Sequence, residues 1–309
     1  MLVGDRGFAV DEVRSLLAGS AVEVTAGSEP WGGDDVVGLL VGTETRVDAT
    51  DFDRLPNLAV IASCSVGYDH VDVAEATRRG VWVCTVPDYC IEEVADHTLA
   101  LLLALLRGVV ELDRNVREGG WDWTVAGPLR RVRGLRLGII GFGRLGHALA
   151  QRALVLGMEV YATDPAVDDE AISAAGVRPA SLDELLASCE AFSLHAALTP
   201  ETVGLIGEAE LTRMPHGSVL VDTARAQLVD IDALVRALEN GHLGGAALDV
   251  LAVEPPTPAA PAPVAPRLVV TPHAAWYSAE AEEAVYRRPV LSVRAVLEGR
   301  EPDGAVNRP

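Results

Sequence analysis

The segment from Leu135 to Asp164 restricts the fold more than any other part of this chain. Leu135-Arg136-Leu137-Gly138-Ile139-Ile140 reads as a strand, a helical pattern runs from about Arg144 to Leu156, and Met158 to Thr163 reads as a second strand. Two strands joined by a helix pair in parallel, so this is a βαβ unit. Its first turn is Gly141-Phe142-Gly143-Arg144-Leu145-Gly146, a GxGxxG placed directly after a strand and opening a helix. Gly141 permits the tight turn, Gly143 lets a pyrophosphate approach the backbone, and Gly146 lets helix and strand pack closely. The N–H groups of Arg144 and Leu145 then face the phosphates from the helix N-terminus. The second strand ends at Asp164, 23 residues after Gly141, where a carboxylate can accept both hydroxyls of an adenosine ribose. No arginine lies in the following Pro165-Ala166-Val167 to neutralise a 2′-phosphate, so the dinucleotide expected is NAD rather than NADP.

Short β-branched runs alternate with longer helical stretches elsewhere too, which predicts a doubly wound α/β fold. Upstream, Val36 to Val41, Leu58 to Ala62 and Val81 to Cys84 read as strands of one small parallel sheet. Glu92 to Leu106 follows as a nearly all-apolar helix, expected to be buried between layers and to bridge two domains. Its apolar run, Leu99 to Leu106, is far short of the ~20 residues that cross a bilayer. Downstream, strands are expected at Ala191–Leu194, Ser218–Val221, Gly245–Leu248 and Leu268–Thr271, and helices at Leu182–Leu186, Glu208–Arg213 and Ile231–Glu239. Pro255 to Pro266 reads as a surface loop, and Ser278 as the cap of a last helix reaching about Leu297. A chain of 309 residues makes about two domains at the usual ~100–200 residues each.

Charge narrows the chemistry. The chain carries 25 basic residues against 45 acidic ones, and every one of the 25 is arginine. Pyridoxal-phosphate enzymes, Schiff-base aldolases and P-loop nucleotidases need a lysine ammonium and are excluded. A net charge of −20 disfavours nucleic acid and anionic membranes, so an anionic ligand must be held by local arginines or backbone N–H groups. Cys64, Cys84, Cys90 and Cys189 show no CxxC or metal-ligand spacing. Met1 to Asp5 shows no export signal, so these are expected to be reduced core thiols in a cytoplasmic protein. The histidines are scattered and Asp168-Asp169-Glu170 reads as a solvated acidic turn, so no metal centre is expected.

A hydride carrier needs a proton donor near neutral pH, a partner to tune it, and a cation for an anionic substrate. Arg225, Glu254 and His273 each lie just beyond a predicted strand, on the side where open α/β sheets hold ligands. Singly each reads as a solvated or structural residue; together they form a convergent set. A carboxylate beside an imidazole stabilises the imidazolium and raises its pKa, which suits His273 for the proton role.

These residues sit among motifs that resemble one family. Gly67-Tyr68-Asp69-His70-Val71-Asp72, Val94-Ala95-Asp96-His97-Thr98-Leu99, the glycine turn, Leu194-His195 with Leu198-Thr199-Pro200, the Arg225 segment, Ala247 to Glu254, and Thr271 to Trp276 are similar to those of the D-isomer-specific 2-hydroxyacid dehydrogenases, in order and spacing, from about residue 60 onward. Val86-Pro87-Asp88-Tyr89-Cys90 and His273 to Ser278 resemble the C-terminal-binding-protein branch most. The resemblance implies two doubly wound parallel-sheet domains. One is a Rossmann cofactor domain over 96–277. The other is a smaller flavodoxin-like substrate domain, made of 1–95 plus 278–309. It implies a homodimer paired through Leu99–Leu106 and Trp121-Asp122-Trp123.

By the same resemblance Arg225 binds the substrate carboxylate, His273 is the acid/base and Glu254 hydrogen-bonds it. Ser65, Val66 and Gly67 offer backbone N–H groups to the substrate, and Trp276 stands beside it. Thr98 lies near the cofactor phosphates, Thr223, Ala224, Asp249 and Trp276 near the nicotinamide, and His195 and Ala196 on a cofactor-contacting loop. Where the family usually has glycine after the arginine this chain has Ala226, which either tilts Arg225 or is absorbed by the backbone. Formate dehydrogenases of the superfamily carry glutamine where Glu254 stands, against that chemistry here. No regulatory domain is expected after Pro309, which argues against an allosteric phosphoglycerate dehydrogenase. The expected activity is transfer of a hydride between NAD and a small D-2-hydroxy or 2-oxo acid. The alternative is an NADH-sensing corepressor with little turnover.

Overall fold

The computed structural model describes residues 2–4, 9–20, 22–27, 30–43 and 45–309. Met1 and Asp5, within the segment read for an export signal, lie outside the described residues. The chain divides into two compact units, Met1–Cys90 with Tyr277–Pro309, and Ile91–Trp276. The divisions fall at 90/91 and 276/277, within a few residues of the 95/96 and 277/278 expected.

The first unit contains β1 (Leu2–Gly4), α1 (Val10–Leu16), β2 (Val24–Ala26), β3 (Gly38–Val41), α2 (Ala49–Arg54), β4 (Val60–Ser63), α3 (Val73–Arg78) and β5 (Trp82–Cys84), completed by the C-terminal helix Ala279–Leu297. Its strands are all parallel, in the order β2-β1-β3-β4-β5, which is the flavodoxin-like arrangement. Period-two alternation sends Leu39, Val41 and Ile61 into one apolar layer with Trp31 and Phe52. It sends Leu40, Val60 and Ala62 into the other with Val13, Leu17, Val290 and Val293. After the C-terminal helix the chain returns along β5. Ala305 bridges Cys84 antiparallel, Val306 N–H donates to Val83 O at 2.8 Å, and the Asn307 side chain accepts from Val83 N–H at 2.8 Å.

The second unit begins with α4 (Ile91–Arg107), α5 (Val109–Arg117), β6 (Arg136–Ile140), α6 (Arg144–Val155), β7 (Glu159–Thr163), α7 (Asp169–Ala174), β8 (Arg178–Pro179) and α8 (Leu182–Ser188). It continues with β9 (Ala191–Leu194), α9 (Glu208–Arg213), β10 (Val219–Asp222), α10 (Ile231–Glu239), β11 (Gly245–Leu248) and β12 (Leu268–Val270). The parallel order β8-β7-β6-β9-β10-β11-β12 is doubly wound and reverses direction between β6 and β9, so the C-terminal ends of those strands form the topological switch point. Val219, Val221 and Ala247 pack with Leu102, Leu105 and Leu149 under α4 and α6. Leu220, Leu248 and Leu194 pack with Leu185 and Leu234 on the opposite face.

Two expectations change here. The helix α4 is not wholly enclosed: Leu101, Leu102, Leu105 and Leu106 are buried while Ala100 is exposed and Leu99 and Leu103 are half-buried, so its apolar surface exceeds what this unit covers. Asp168-Asp169-Glu170 is exposed, but Asp168 is the N-cap of α7, where acidic side chains face the positive end of the helix dipole. The four cysteines are free thiols, three of them buried and Cys64 half-buried.

Candidate active site

The glycine turn occupies the switch point, and each glycine has its own steric reason. Gly141 has φ +95°, and a Cβ there would stand 2.5 Å from the backbone of His195 and Ala196. A Cβ on Gly146 would overlap Gly141 O. Around Gly143 there is open space, and Gly143 caps α6 without any side chain. A bare backbone at the N-terminus of a twelve-residue helix is what a pyrophosphate requires. Asp164, at the end of β7, accepts from Phe142 N–H at 2.7 Å and Ala166 N–H at 2.8 Å, which ties the acidic side chain to the glycine turn. His195, beyond β9, shares a 2.9 Å hydrogen bond with Ser193 Oγ through Nε2. Its Nδ1 is buried with no partner among the described residues, and burial pushes its pKa down to about 4, so the ring is neutral. An orphaned ring nitrogen beside the glycine turn fits a site built to receive a dinucleotide.

Arg225, Glu254 and His273 lie beyond β10, β11 and β12, the three successive strands. His273 Nδ1 and Glu254 Oε2 are 2.6 Å apart, and Glu254 Oε1 accepts from Leu251 N–H at 2.6 Å. The carboxylate hydrogen bond raises the His273 pKa above 6.5, outweighing burial, which lowers it, and the field of Arg225. Burial raises Glu254, but the His273 and Leu251 hydrogen bonds and the charges of His273 and Arg225 leave it below its ordinary value. With Nδ1 on Glu254, Nε2 is the ring nitrogen left for chemistry. His273 has φ +51°, a left-handed conformation that costs a side chain about 1 kcal/mol or more and persists only when its surroundings impose it. Its N–H donates to Asp249 O at 2.9 Å, and the Asp249 carboxylate accepts from Thr271 Oγ1 at 2.5 Å and from Ala274 and Ala275 N–H at 2.9 Å. Ala226 opens a 3-10 turn, Ala226–Leu228, directly after Arg225. Its φ is not positive, so the backbone takes a methyl group there without strain.

The remaining expected residues divide by environment. Thr98 is buried on α4, its hydroxyl donating to Val94 O at 2.6 Å and lying 2.8 Å from Thr223 Oγ1. Asp249 is 1% exposed, its carboxylate given over to the His273 loop, with His97 Nε2 at 3.7 Å. Ala224 N–H donates to Asp222 Oδ1 at 2.8 Å, and Trp276, half-buried, closes the unit. Ser65, Val66 and Gly67 belong to the first unit, beyond β4, where Ser65 Oγ lies 2.7 Å from Ser63 Oγ and 2.5 Å from Gly67 O. Three residues the sequence did not single out join the site: His97, Thr271 and Asp222. His97 and Thr271 stood within motifs already quoted for the resemblance, but no role was given to any of the three. Among the described residues no cluster could hold a metal ion, and no helix is long and apolar enough to cross a membrane.

Residues 99–275 match the family model "D-isomer specific 2-hydroxyacid dehydrogenase, NAD binding domain". Glyoxylate reductase of Korarchaeum cryptofilum is 39% identical over 278 residues, 89% of this chain and 83% of that protein. D-3-phosphoglycerate dehydrogenase of Archaeoglobus fulgidus is 36% identical over 271 residues, which cover 88% of this chain but only 51% of that protein. The crystal structure of D-lactate dehydrogenase from Aquifex aeolicus, complexed with NAD and lactic acid, superposes with a TM-score of 0.87 at 27% identity, covering 97% of this chain and 96% of the other. The chain belongs to the D-isomer specific 2-hydroxyacid dehydrogenase family. It is an NAD-dependent oxidoreductase acting between a D-2-hydroxy acid and the corresponding 2-oxo acid. The C-terminal-binding-protein branch, and with it the corepressor alternative, finds no support; that reading leaned on two short segments around motifs the whole family shares.

Proposed function

We propose that the enzyme reduces small 2-oxo acids of about the size of glyoxylate or hydroxypyruvate, with His273 as acid/base, Glu254 as its tuning partner and Arg225 as the cation for the substrate carboxylate. The observation that carries this reading is the 2.6 Å His273–Glu254 pair, on the same strand-end face as Arg225; the named activity of the Korarchaeum relative supports the size class. Gly141, Gly143, Arg144, Leu145 and Gly146 would hold the pyrophosphate, Asp164 the adenosine ribose, and His195, Ala196, Thr98, Thr223, Ala224, Asp249 and Trp276 the remainder of the site. Bound there, NADH supplies the hydride. His273 then holds a proton on Nε2 for the carbonyl oxygen, and Glu254 keeps the ring charged until that proton leaves. Arg225 binds the carboxylate of the oxo acid and polarises its carbonyl, a charge-assisted role for which a planar guanidinium is suited. In the unit made of 1–90 and 277–309, Ser65, Val66 and Gly67 contribute backbone N–H groups to the substrate.

NADH oxidation against glyoxylate, hydroxypyruvate, pyruvate and bulkier aryl or branched oxo acids tests this directly. Turnover is expected with the first two and to fall with size; flat traces for every acid alongside tight NADH binding would defeat it.

The working form is a homodimer in a reducing, cytoplasmic setting. No residue of α5 is buried, and Trp121 and Trp123 nearby are 91% and 80% exposed, large apolar side chains of the kind that mark an interaction surface. A solution mass at the monomer value would end the dimer, and Trp121→Ser with Trp123→Ser is expected to weaken it. Burial pushes Cys84 up to about 12 and Cys189 up to about 11, so both stay protonated.

A further inference from the structure

We propose that Asp222 is a positioning residue for the reaction: from the end of β10 its carboxyl group fixes the turn that carries Arg225, and so sets where the guanidinium meets the substrate carboxylate. The proposal rests on the role given to Arg225 above. Asp222 is fully buried. In β10, Val219 and Val221 enter the layer beneath α4 and α6, and Leu220 enters the opposite one, so alternation puts Asp222 on the Leu220 side, an apolar layer. A carboxyl group is costly there without partners. Its Oδ1 accepts from Ala224 N–H at 2.8 Å, and the Arg225 N–H also favours its charged form. Arg225 O in turn accepts Leu228 N–H at 3.0 Å, closing the 3-10 turn. The side chain thus bonds the arginine turn from beneath. Its other oxygen, Oδ2, is buried with no partner among the described residues.

The same strand end is tied to the imidazole. Asp222 O accepts Asp249 N–H at 2.9 Å, and Asp249 O accepts His273 N–H at 2.9 Å, so one backbone chain links the arginine turn to the histidine loop. The charged groups whose fields reach Asp222 are Arg225 in its own turn and Asp249 at the end of β11; His97 of α4 faces that Asp249. Burial first, and then Asp249, push the Asp222 pKa up to about 7 against the pull of Ala224, Arg225 N–H and the guanidinium.

The experiment compares wild type, Asp222→Asn, Asp222→Ala and Arg225→Gln, measuring kcat and KM for glyoxylate between about pH 6 and 8 and NADH Kd by fluorescence. Asp222→Ala is expected to raise KM by about tenfold or more with NADH Kd within about twofold. Asp222→Asn keeps the acceptor for Ala224 N–H, so it is expected to bring KM back to within about twofold of wild type. An unchanged KM in Asp222→Ala, KM and NADH Kd rising together, or an Asp222→Asn KM as high as that of Asp222→Ala would each overturn the proposal. Arg225→Gln separates the two readings: if it raises KM while Asp222→Ala does not, only the role of Asp222 falls. If Arg225→Gln leaves KM unchanged, both fall.

Discussion

His273 and Glu254 meet through a 2.6 Å hydrogen bond across a loop whose histidine is held in left-handed backbone. The residue is therefore fixed twice, at ring Nδ1 by the carboxylate and at its backbone N–H by Asp249 O. Orientation of that kind leaves the far nitrogen as the group that moves a proton.

Replacing that ring tests the role. His273→Ala is expected to lower turnover by roughly 10²–10⁴ while NADH Kd, measured by fluorescence titration, stays within about twofold. A loss smaller than tenfold would move the proton role to another residue.

Glu254→Gln removes the charge that raises the imidazole. The alkaline limb of kcat/KM for oxo-acid reduction, which needs His273 protonated, is expected to move to lower pH. Stability should follow the same linkage. The raised His273 pKa contributes stability that is complete below about pH 6.5 and is lost as pH rises through the folded value. The depressed Glu254 pKa contributes above its ordinary value of about 4.5 and is lost as pH falls through the folded one. The substitution should therefore cost about 1 kcal/mol near pH 5.5–6.5 and less at pH 9, by thermal melts; equal losses at both would refute the coupling.

The glycine turn separates folding from binding. Gly146→Ala drives a methyl group into Gly141 O and should lower Tm by several degrees, an overpacking cost of about 1–3 kcal/mol. Gly143→Ala enters open space, so Tm should hold while NADH Kd rises at least about tenfold. Equal melting shifts for the two would show that Gly143 is structural.

Asp164→Ala is expected to erode the preference for NAD over NADP, read as the ratio of their kcat/KM values, because the ribose loses its acceptor. The glycine turn also loses the acceptor for Phe142 N–H, so NAD affinity should fall as well. An unchanged ratio would contradict the assignment.

The cofactor unit was largely legible because its signals are long: β9, β11, α9 and α10 fall on the expected residues, and α6 and β7 within one. The first unit was harder. The strands β1 and β2 have three residues each, too few for alternation to show, and α1, α2 and α3 have six or seven, barely two turns. In the site, Arg225, Glu254 and His273 could be read because each follows a strand. Asp222 could not, since its significance lies in being buried, and a carboxylate ending a strand is ordinarily solvated. Thr98 and Asp249 were recognised as positions, but their bonds to Thr223 and to the His273 loop depend on helix and strand meeting across the fold.

The return of the chain along β5 bears on how the molecule is made. Ala305, Val306 and Asn307 pair with a strand more than two hundred residues earlier, and Val290 and Val293 fill a layer begun by Val13 and Leu17. The contiguous unit Ile91–Trp276 can fold on the ribosome as soon as it emerges. The unit that starts the chain must wait with an open edge and a half-built core until residues 277–309 have been made, and in that interval it is the part most exposed to aggregation.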